Sequence, residues 1–140
     1  MAETMPMAIG CVATYTESNI QFNSPIRLFK YPEKLGEAFD LGPLPDVIGF
    51  SNYMWNTELS SSFARLVKRH SPDTVVVFGG PHCSHEPKFI LNDPNVDLMV
   101  SGEGDLTIVE LIDALEKGKD IKNIPGLAYK KNGSYFRTAD

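Results

Sequence analysis

The chain has 140 residues, 42% of them hydrophobic, and this size predicts a single domain over residues 1–140 with one buried core. The formal net charge of −5 disfavours nucleic acid as a partner, because nucleic-acid-binding domains carry clustered excess Lys and Arg. No apolar run approaches the ~20 residues of a membrane helix and no secretory signal opens the chain, so we expect a cytoplasmic protein with no membrane partner.

The first predicted element is a helix over residues 6–19 that no strand precedes, so a doubly wound sheet would lack its first strand here. Short apolar runs then alternate with helical patterns, which indicates an α/β fold. We expect a three-layer Rossmann-like (flavodoxin-like) arrangement, with a mostly parallel sheet covered by helices on both faces. The expected strands are residues 26–29, 47–51, 74–78 and 96–100. The run at 74–78 has no polar alternation, which predicts a strand buried on both faces.

Two further helices are expected from apolar residues at helical spacing. One covers residues 59–70, and the other follows Gly104 and ends at Gly118, a natural left-handed terminator. Their candidate N-caps are Asn56 or Thr57 for the first and Asp105 or Thr107 for the second. Near the end of the chain, Asn132-Gly133 lies between two β-prone runs and predicts a C-terminal β-hairpin.

In an open parallel sheet, ligands bind beyond the carboxyl ends of the strands, so the loops there are the first places to search. Gly79-Gly80 leaves the tip of one strand without side chains, which suits either a close ligand or a tight turn. Residues 102–104, Gly-Glu-Gly, join a strand to a helix and offer free N–H groups. Neither a dinucleotide fingerprint nor a phosphate-binding loop is present.

Three soft or borderline metal ligands fall within four positions in the loop after Gly80: His82, Cys83 and His85. A closed zinc site needs a fourth ligand, so loop packing is the favoured reading and no metal site is expected. Cys83 as a nucleophile is a further alternative, although neighbouring loop residues seldom align sulfur with imidazole. Tyr53 and Trp55, beyond the strand at 47–51, either pack on a flat cofactor or cap the sheet.

Together, four segments resemble the cobalamin-binding domain at the N-terminus of many radical S-adenosylmethionine (radical SAM) enzymes. They are, in order, PDVIGFSNYMWN, VVVFGGPHCSHEP, VDLMVSGEGDLTIVELIDAL and IPGLAYKKNG. The wider cobalamin-binding superfamily uses D-x-H-x-x-G, then S-x-L, then GG. Here Ser51-Asn52-Tyr53 stands in the place of the second element, with tyrosine where the motif has leucine, and Gly79-Gly80 matches the third. Met5 and Met7 stand where the first element has its aspartate and its axial-ligand histidine.

The resemblance implies cobalamin bound in a base-off form without a histidine ligand. The residues it implies for cofactor binding are Ser51, Asn52, Tyr53, Trp55, Gly79, Gly80, Pro81, His82, Gly102, Glu103 and Gly104. No catalytic residue is expected in this domain.

The resemblance also implies that the chain is a fragment of a longer radical SAM protein, such as a methyltransferase or cyclase. The iron–sulfur cluster of those enzymes needs C-x-x-x-C-x-x-C, which the 2 cysteines of this chain do not provide. We therefore expect the cluster and S-adenosylmethionine only in a catalytic domain outside this chain, and that C-terminal radical SAM domain as the partner. The alternatives are a cofactor-free interaction or scaffold domain, and a small independent enzyme that uses Cys83 or a His82/His85 metal site.

Overall fold

The structure is a computed structural model that describes residues 7–19, 26–85, 87–102 and 104–139. These ranges contain five strands and six helices. In chain order they are α1 Met7–Asn19, α2 Pro32–Leu41, β1 Val47–Ser51, α3 Thr57–His70, β2 Val75–Gly79, α4 Pro81–His85, α5 Pro87–Asn92, β3 Leu98–Val100, α6 Asp105–Lys117, β4 Leu127–Lys131 and β5 Ser134–Arg137.

The strands form one mixed sheet in the order β1-β2-β3-β4-β5. β1, β2 and β3 are parallel, whereas β4 runs antiparallel to β3, and β5 to β4. The parallel part of the sheet and the C-terminal hairpin are therefore confirmed. The hairpin turns at Asn132 and Gly133, whose φ values of 51° and 76° fit the two-residue turn expected from the sequence.

Two apolar clusters cover the two faces of the sheet. On face A, which carries Ile48, Val76 and Phe78, the cluster includes buried residues of α3, α4 and α5, with α2 packed against it. On face B, which carries Val77 and Leu98, the cluster includes buried residues of α6. Helix α1 packs against α6 and so lies on the B side. Helices on both faces make the three-layer α/β fold that the sequence predicts.

The expected strand at residues 26–29 is absent, and this prediction was wrong for the chain as described. A strand needs a hydrogen-bonded neighbour, and within the described residues no strand pairs with the outer edge of β1. Three helices were also missed: α2, α4 and α5. The last two replace what the sequence indicated as a polar loop, because Pro81 and Pro87 each begin a short helix.

The predicted side-chain caps were also wrong. Asn56 occupies the N-cap position of α3, but neither its side chain nor that of Thr57 caps the helix. Gly104, in a left-handed conformation with φ 82°, occupies the N-cap position of α6, and the Thr107 hydroxyl donates to the Pro125 carbonyl instead. Gly118 ends α6 in the left-handed conformation, as predicted. Among the described residues no helix has the length and hydropathy to cross a membrane.

Candidate functional site

The residues singled out from the sequence gather at the carboxyl edge of the three parallel strands. Ser51 and Gly79 end β1 and β2 and lie opposite each other in the sheet. The Asn52 N–H donates to the Gly79 carbonyl over 2.6 Å, which holds the two strand tips together. Gly102 and Gly104 follow the tip of β3, whereas Glu103 lies outside the described residues.

A strip of small residues runs along face B at this edge. Side chains alternate along a strand, and Ile48 and Phe50 belong to the face A cluster, so Gly49 and Ser51 face B. Gly79 also faces B, because a Cβ added to it would lie 3.8 Å from Val100 Cβ. A Cβ added to Gly49 would meet no atom of the described residues within 4 Å. We call Gly49, Ser51 and Gly79 the glycine strip.

Gly49 was missed from the sequence as a site residue. The available signal was its position two residues before Ser51, which places both on one face of a strand. An uninterrupted apolar strand would carry a large side chain there. The glycine instead leaves face B of β1 open to another body.

A cleft of about 600 Å³ opens beyond the strip, between the loop after β3, the start of α6 and helix α1. Val100, which an added Cβ at Gly79 would contact, immediately precedes Ser101, one of the residues that line the cleft. Gly126, which also lines the cleft, has φ 74° and lies close to α6, since a Cβ added to it would be 3.1 Å from Thr107 Oγ1. The lining residues are Tyr15, Ser101, Gly102, Gly104, Asp105, Leu106, Thr107, Pro125, Gly126 and Arg137. We call this space the α6 cleft.

Several residues of the α6 cleft were not predicted as site residues. Pro125 and Gly126 belong to the IPGL segment, which served only to recognise the family resemblance. Tyr15 and Arg137 come from elements distant in sequence. No local pattern marks either one, because only the packing of α1 and β5 brings them to the cleft.

Gly80 has a different role from Gly79. Its φ is 101°, and a Cβ added there would lie 2.5 Å from the Asn52 carbonyl oxygen and 2.7 Å from the Asn52 nitrogen. Glycine is therefore required for the turn that brings α4 across the tip of β1. The sequence left two interpretations of the Gly79-Gly80 pair, a tight turn or space for a ligand. In the structure Gly80 makes the tight turn, whereas Gly79 leaves face B without a side chain.

An aromatic pair lies beside the tip of β1. The Tyr53 and Trp55 rings stack with centroids 4.7 Å apart, and Trp55 is 82% exposed. The Asn56 side chain fixes the loop, because its Oδ1 accepts from the Tyr53 N–H over 2.8 Å and its Nδ2 donates to the Ser51 carbonyl over 3.0 Å. The pair thus offers a flat apolar surface to solvent at the carboxyl edge.

Helix α4, which follows Gly80, buries its thiol instead of presenting it. Pro81 is exposed, and the His82 N–H donates to the Asn52 carbonyl over 3.2 Å. Cys83 is buried, and its thiol donates to the Gly79 carbonyl over 3.4 Å. Burial raises the pKa of Cys83 to about 11, against a smaller opposing effect of a hydrogen bond with Asn52, so the thiol is protonated at neutral pH.

A buried, protonated thiol contradicts the hypothesis that Cys83 is a nucleophile, and it is a poor metal ligand. The described residues contain no group of three His, Cys, Asp or Glu side chains able to hold a metal ion. The side chain of His85 lies outside the described residues.

Comparison with known proteins assigns the family. The model of the B12 binding domain matches residues 33–112, which is more than half of the chain. The chain belongs to the B12-binding domain family. The match includes the glycine strip and the loop after β3, so the family assignment and the open carboxyl edge concern the same part of the molecule.

The relatives include radical SAM enzymes. The chain is 30% identical over 135 residues to the cobalamin-dependent radical SAM methyltransferase TokK of Streptomyces tokunonensis, covering 91% of this chain and 19% of that protein. It is 39% identical over 101 residues to an uncharacterized methyltransferase of Pyrococcus horikoshii, covering 71% and 21%. The chain therefore spans about a fifth of the length of these curated relatives.

Solved structures share the fold. The radical SAM methyltransferase TsrM from Kitasatospora setae, determined with cobalamin and a 4Fe–4S cluster bound, superposes with a TM-score of 0.77. The sequences are 21% identical, and the match covers 98% of this chain and 26% of TsrM. At this identity the likeness establishes the Rossmann-like fold.

The residues present fit a cobalamin group. The cofactor has a flat corrin ring and a nucleotide tail, and both need surfaces free of projecting side chains. The glycine strip provides such a surface, since an added Cβ at Gly49 would meet open space. Counted back from Ser51, the superfamily spacing would put Met7 at the position of the axial histidine. Met7 lies in α1, and its side chain and the whole of Met5 are outside the described residues.

Proposed function

We propose that the chain binds cobalamin, base-off and without a histidine ligand, as the accessory domain of a radical SAM enzyme such as a methyltransferase or cyclase. The observation that carries this proposal is the glycine strip on an otherwise apolar sheet. Gly49 leaves face B of β1 open and Gly79 adds no side chain toward Val100, which precedes Ser101 of the α6 cleft, whereas face A is packed by four helices. Such one-sided openness at the carboxyl edge suits a ligand that reaches down along the strands.

In this proposal the nucleotide tail lies along the glycine strip, where the Ser51 hydroxyl is available as a hydrogen-bonding group. The corrin ring lies over the strand tips, against the loops that the resemblance implies. These are Tyr53 and Trp55, Pro81 and His82, and residues 102–104. When bound, cobalamin supplies a cobalt centre able to carry a methyl group. The chain's own residues would bind and orient the cofactor.

The proposal of cobalamin without an axial imidazole concerns each of the 3 histidines of the chain. His70 lies at the end of α3, where its Nδ1 contacts the Leu66 carbonyl at 3.0 Å, at the amino edge of the sheet. His82 is the histidine nearest the proposed corrin surface whose side chain is described. Electron paramagnetic resonance of bound cob(II)alamin is expected to show no nitrogen splitting in wild type or His82→Ala. A splitting that His82→Ala removes would contradict the histidine-free form.

The radical SAM part of the proposal is supported by the relatives and not by groups in this chain. An iron–sulfur cluster and S-adenosylmethionine would be held by a catalytic domain C-terminal to this one. The open carboxyl edge would then face that domain, so that the cobalt centre lies between the two. A cytoplasmic location is part of the same proposal.

Titration with hydroxocobalamin, followed by absorbance and by co-elution in gel filtration, tests cofactor binding. Gly49→Val places a side chain in the open space of the strip, where it would obstruct the cofactor. We expect binding to weaken roughly tenfold or more, which corresponds to a loss of about 1.4 kcal/mol in binding free energy. Valine suits an extended strand, so the variant is expected to fold. Gly42→Val is the matched control, because Gly42 is also extended and open but lies after α2, away from the strip.

Equal weakening by both variants would contradict a site on the strip. No spectral change and no co-elution with wild type would favour the cofactor-free interaction domain. In that case the strip would serve protein contacts only.

A further inference from the structure

Helix α3 has exposed apolar residues on the side that faces away from the sheet. Leu59 is 45% exposed and Leu66 is 38% exposed, whereas the inner side of the helix is buried in the face A cluster. Ser62 lies between them, and the spacing places all three on one face of the helix. The Ser62 hydroxyl donates to the Glu58 carbonyl over 3.0 Å, so it is already paired within its own helix. We call Leu59, Ser62 and Leu66 the outer stripe.

Opposite charges flank the outer stripe at its two ends. Glu58 lies in the first turn of α3, Arg65 and Arg69 lie in its second half, and all three are exposed. Ion pairs within a helix join residues three or four positions apart, which is closer than Glu58 is to either arginine. Lys68 of the same helix pairs with Asp97. Of the ion pairs formed within the described residues, none includes Glu58, Arg65 or Arg69.

This distribution of charge is complementary to itself under a two-fold axis. When two copies of α3 pack antiparallel and cross at Ser62, the first half of each helix lies beside the second half of the other. Glu58 of one copy then faces Arg65 of the second copy, with Arg69 one turn farther along. The helix dipoles also oppose each other, which is favourable, and each contact occurs twice. A parallel pair would instead bring like charges together.

The shape of this surface suits the same arrangement. A small residue such as Ser62 at the crossing point allows the helix axes to approach to about 8 Å. A cavity of about 100 Å³ lies beside the first half of α3, and Tyr31, Leu59 and Phe63 are among its lining residues. In the antiparallel pair, Leu66 of the second copy lies opposite the first half of α3 and therefore next to this cavity. Burial of Leu66 there would remove apolar surface from water on both copies.

We propose that α3 is the interface of a two-fold symmetric dimer, in which the outer stripe packs against the same stripe of a second copy of this chain. Leu59 and Leu66 make the apolar contact, and the pair of Glu58 with Arg65 fixes the antiparallel orientation. One helix pair buries less than the ~1,200 Å² of stable complexes, so we expect a dissociation constant on the order of 100 µM. The outer stripe lies on the face A side, whereas the glycine strip lies on face B, so the dimer does not depend on the proposed function.

Sedimentation velocity of the 140-residue chain, at concentrations from about 10 µM to about 1 mM, tests the dimer. Glu58→Arg is expected to weaken self-association roughly tenfold or more, because each copy then presents arginine to the Arg65 of the other. The double variant Glu58→Arg/Arg65→Glu exchanges the two charges. It is expected to recover a dissociation constant within about fivefold of wild type. Both positions are exposed, so these variants are expected to fold.

Two controls on α2 match these changes. Glu33→Arg makes the same change of charge at an exposed acid in the first turn of a helix, and it is expected to leave self-association unchanged. Leu66→Asp is expected to abolish the dimer, whereas Leu41→Asp, at a leucine that is 87% exposed, is expected to preserve it.

A wild-type chain that stays monomeric over the whole concentration range would overturn the proposal. Weakening by Glu33→Arg equal to that by Glu58→Arg would also overturn it, because net charge and not the facing pair would then control association. Failure of the double variant to recover affinity would contradict the antiparallel arrangement. Recovery by exchange of the two charges, with both α2 controls unchanged, would support the dimer.

Discussion

At the scale of single residues, three glycines in or next to β1 and β2 serve two different purposes. Gly49 and Gly79 have ordinary strand conformations and leave space on face B, whereas Gly80 has φ 101° and contacts the Asn52 backbone. The sequence shows the pair Gly79-Gly80 but not this division. Only the path of the chain after β2 decides which glycine is needed for the turn.

Replacement of Gly80 by alanine is therefore expected to destabilise the fold by more than about 3 kcal/mol, from left-handed strain and a backbone clash together. Gly118→Ala is the matched control, because Gly118 has φ 63° but an added Cβ meets no atom within 4 Å. Its expected cost is about 1 kcal/mol. Urea denaturation measures both, and equal losses would show that the contact with Asn52 is unimportant.

Cys83 gives a pH dependence whose sign follows from its raised pKa of about 11, against an ordinary value of 9.0. Between these values the unfolded thiol loses its proton and the folded one keeps it, so stability falls as pH rises. We expect wild type to lose about 2 kcal/mol relative to Cys83→Ala between pH 8 and pH 10.5. The difference between the two proteins removes the contribution of other groups. A constant difference would contradict a buried, protonated thiol.

At the scale of elements, polar contacts join helix α3 to the strands at the amino edge of the sheet, whereas the carboxyl edge is open. The Asp97 carboxylate accepts from the Val76 N–H and from Lys68 Nζ, each over 2.7 Å. Lys68 also donates to the Thr74 carbonyl over 2.7 Å. One lysine thus joins α3 to the starts of β2 and β3. The sequence marks Lys68 only as a basic residue in the last turn of a helix.

Lys68→Met keeps the apolar stem of the side chain but removes these hydrogen bonds, and we expect a loss of about 1–3 kcal/mol in the free energy of unfolding. Lys34→Met is the comparison, because Lys34 forms an exposed ion pair with Glu37 within one helix. Its expected effect is below about 0.5 kcal/mol. Chemical denaturation at one pH distinguishes the two. If both variants matched wild type, the contacts at the amino edge would be dispensable.

Sequence patterns correctly predicted the elements whose conformation is determined by their own residues. The unbroken apolar run of β2, the apolar stripe of α3 and the Asn132-Gly133 turn each contain enough local information. Residues 26–29 were predicted as a strand on the same grounds, but a strand depends on its neighbour. The caps of α3 and α6 failed for a related reason, since Asn56 and Thr107 form hydrogen bonds with loops whose positions depend on the fold.

At the scale of the whole molecule, the fold combines a closed amino edge and a packed face A with an open carboxyl edge on face B. Ligand-binding proteins often sacrifice stability for such openings. Gly49 illustrates this, because glycine inside a strand costs roughly 0.5–1 kcal/mol relative to residues with side chains. The opening contributes nothing to stability unless a ligand fills it.

Gly49→Val is therefore expected to be more stable than wild type without the cofactor and less stable than wild type with it. Without cofactor, Gly49→Val should be more stable than wild type by up to about 1 kcal/mol, because valine suits a strand. With cobalamin at 100 times its dissociation constant, wild type gains about 2.7 kcal/mol, since the ligand binds only the folded state. With a tenfold weaker affinity the variant gains about 1.4 kcal/mol, so wild type becomes the more stable protein by at least about 0.3 kcal/mol. Urea denaturation with and without hydroxocobalamin measures this, and Gly42→Val should follow wild type in both. If Gly49→Val gained as much as wild type, the ligand would not occupy the strip.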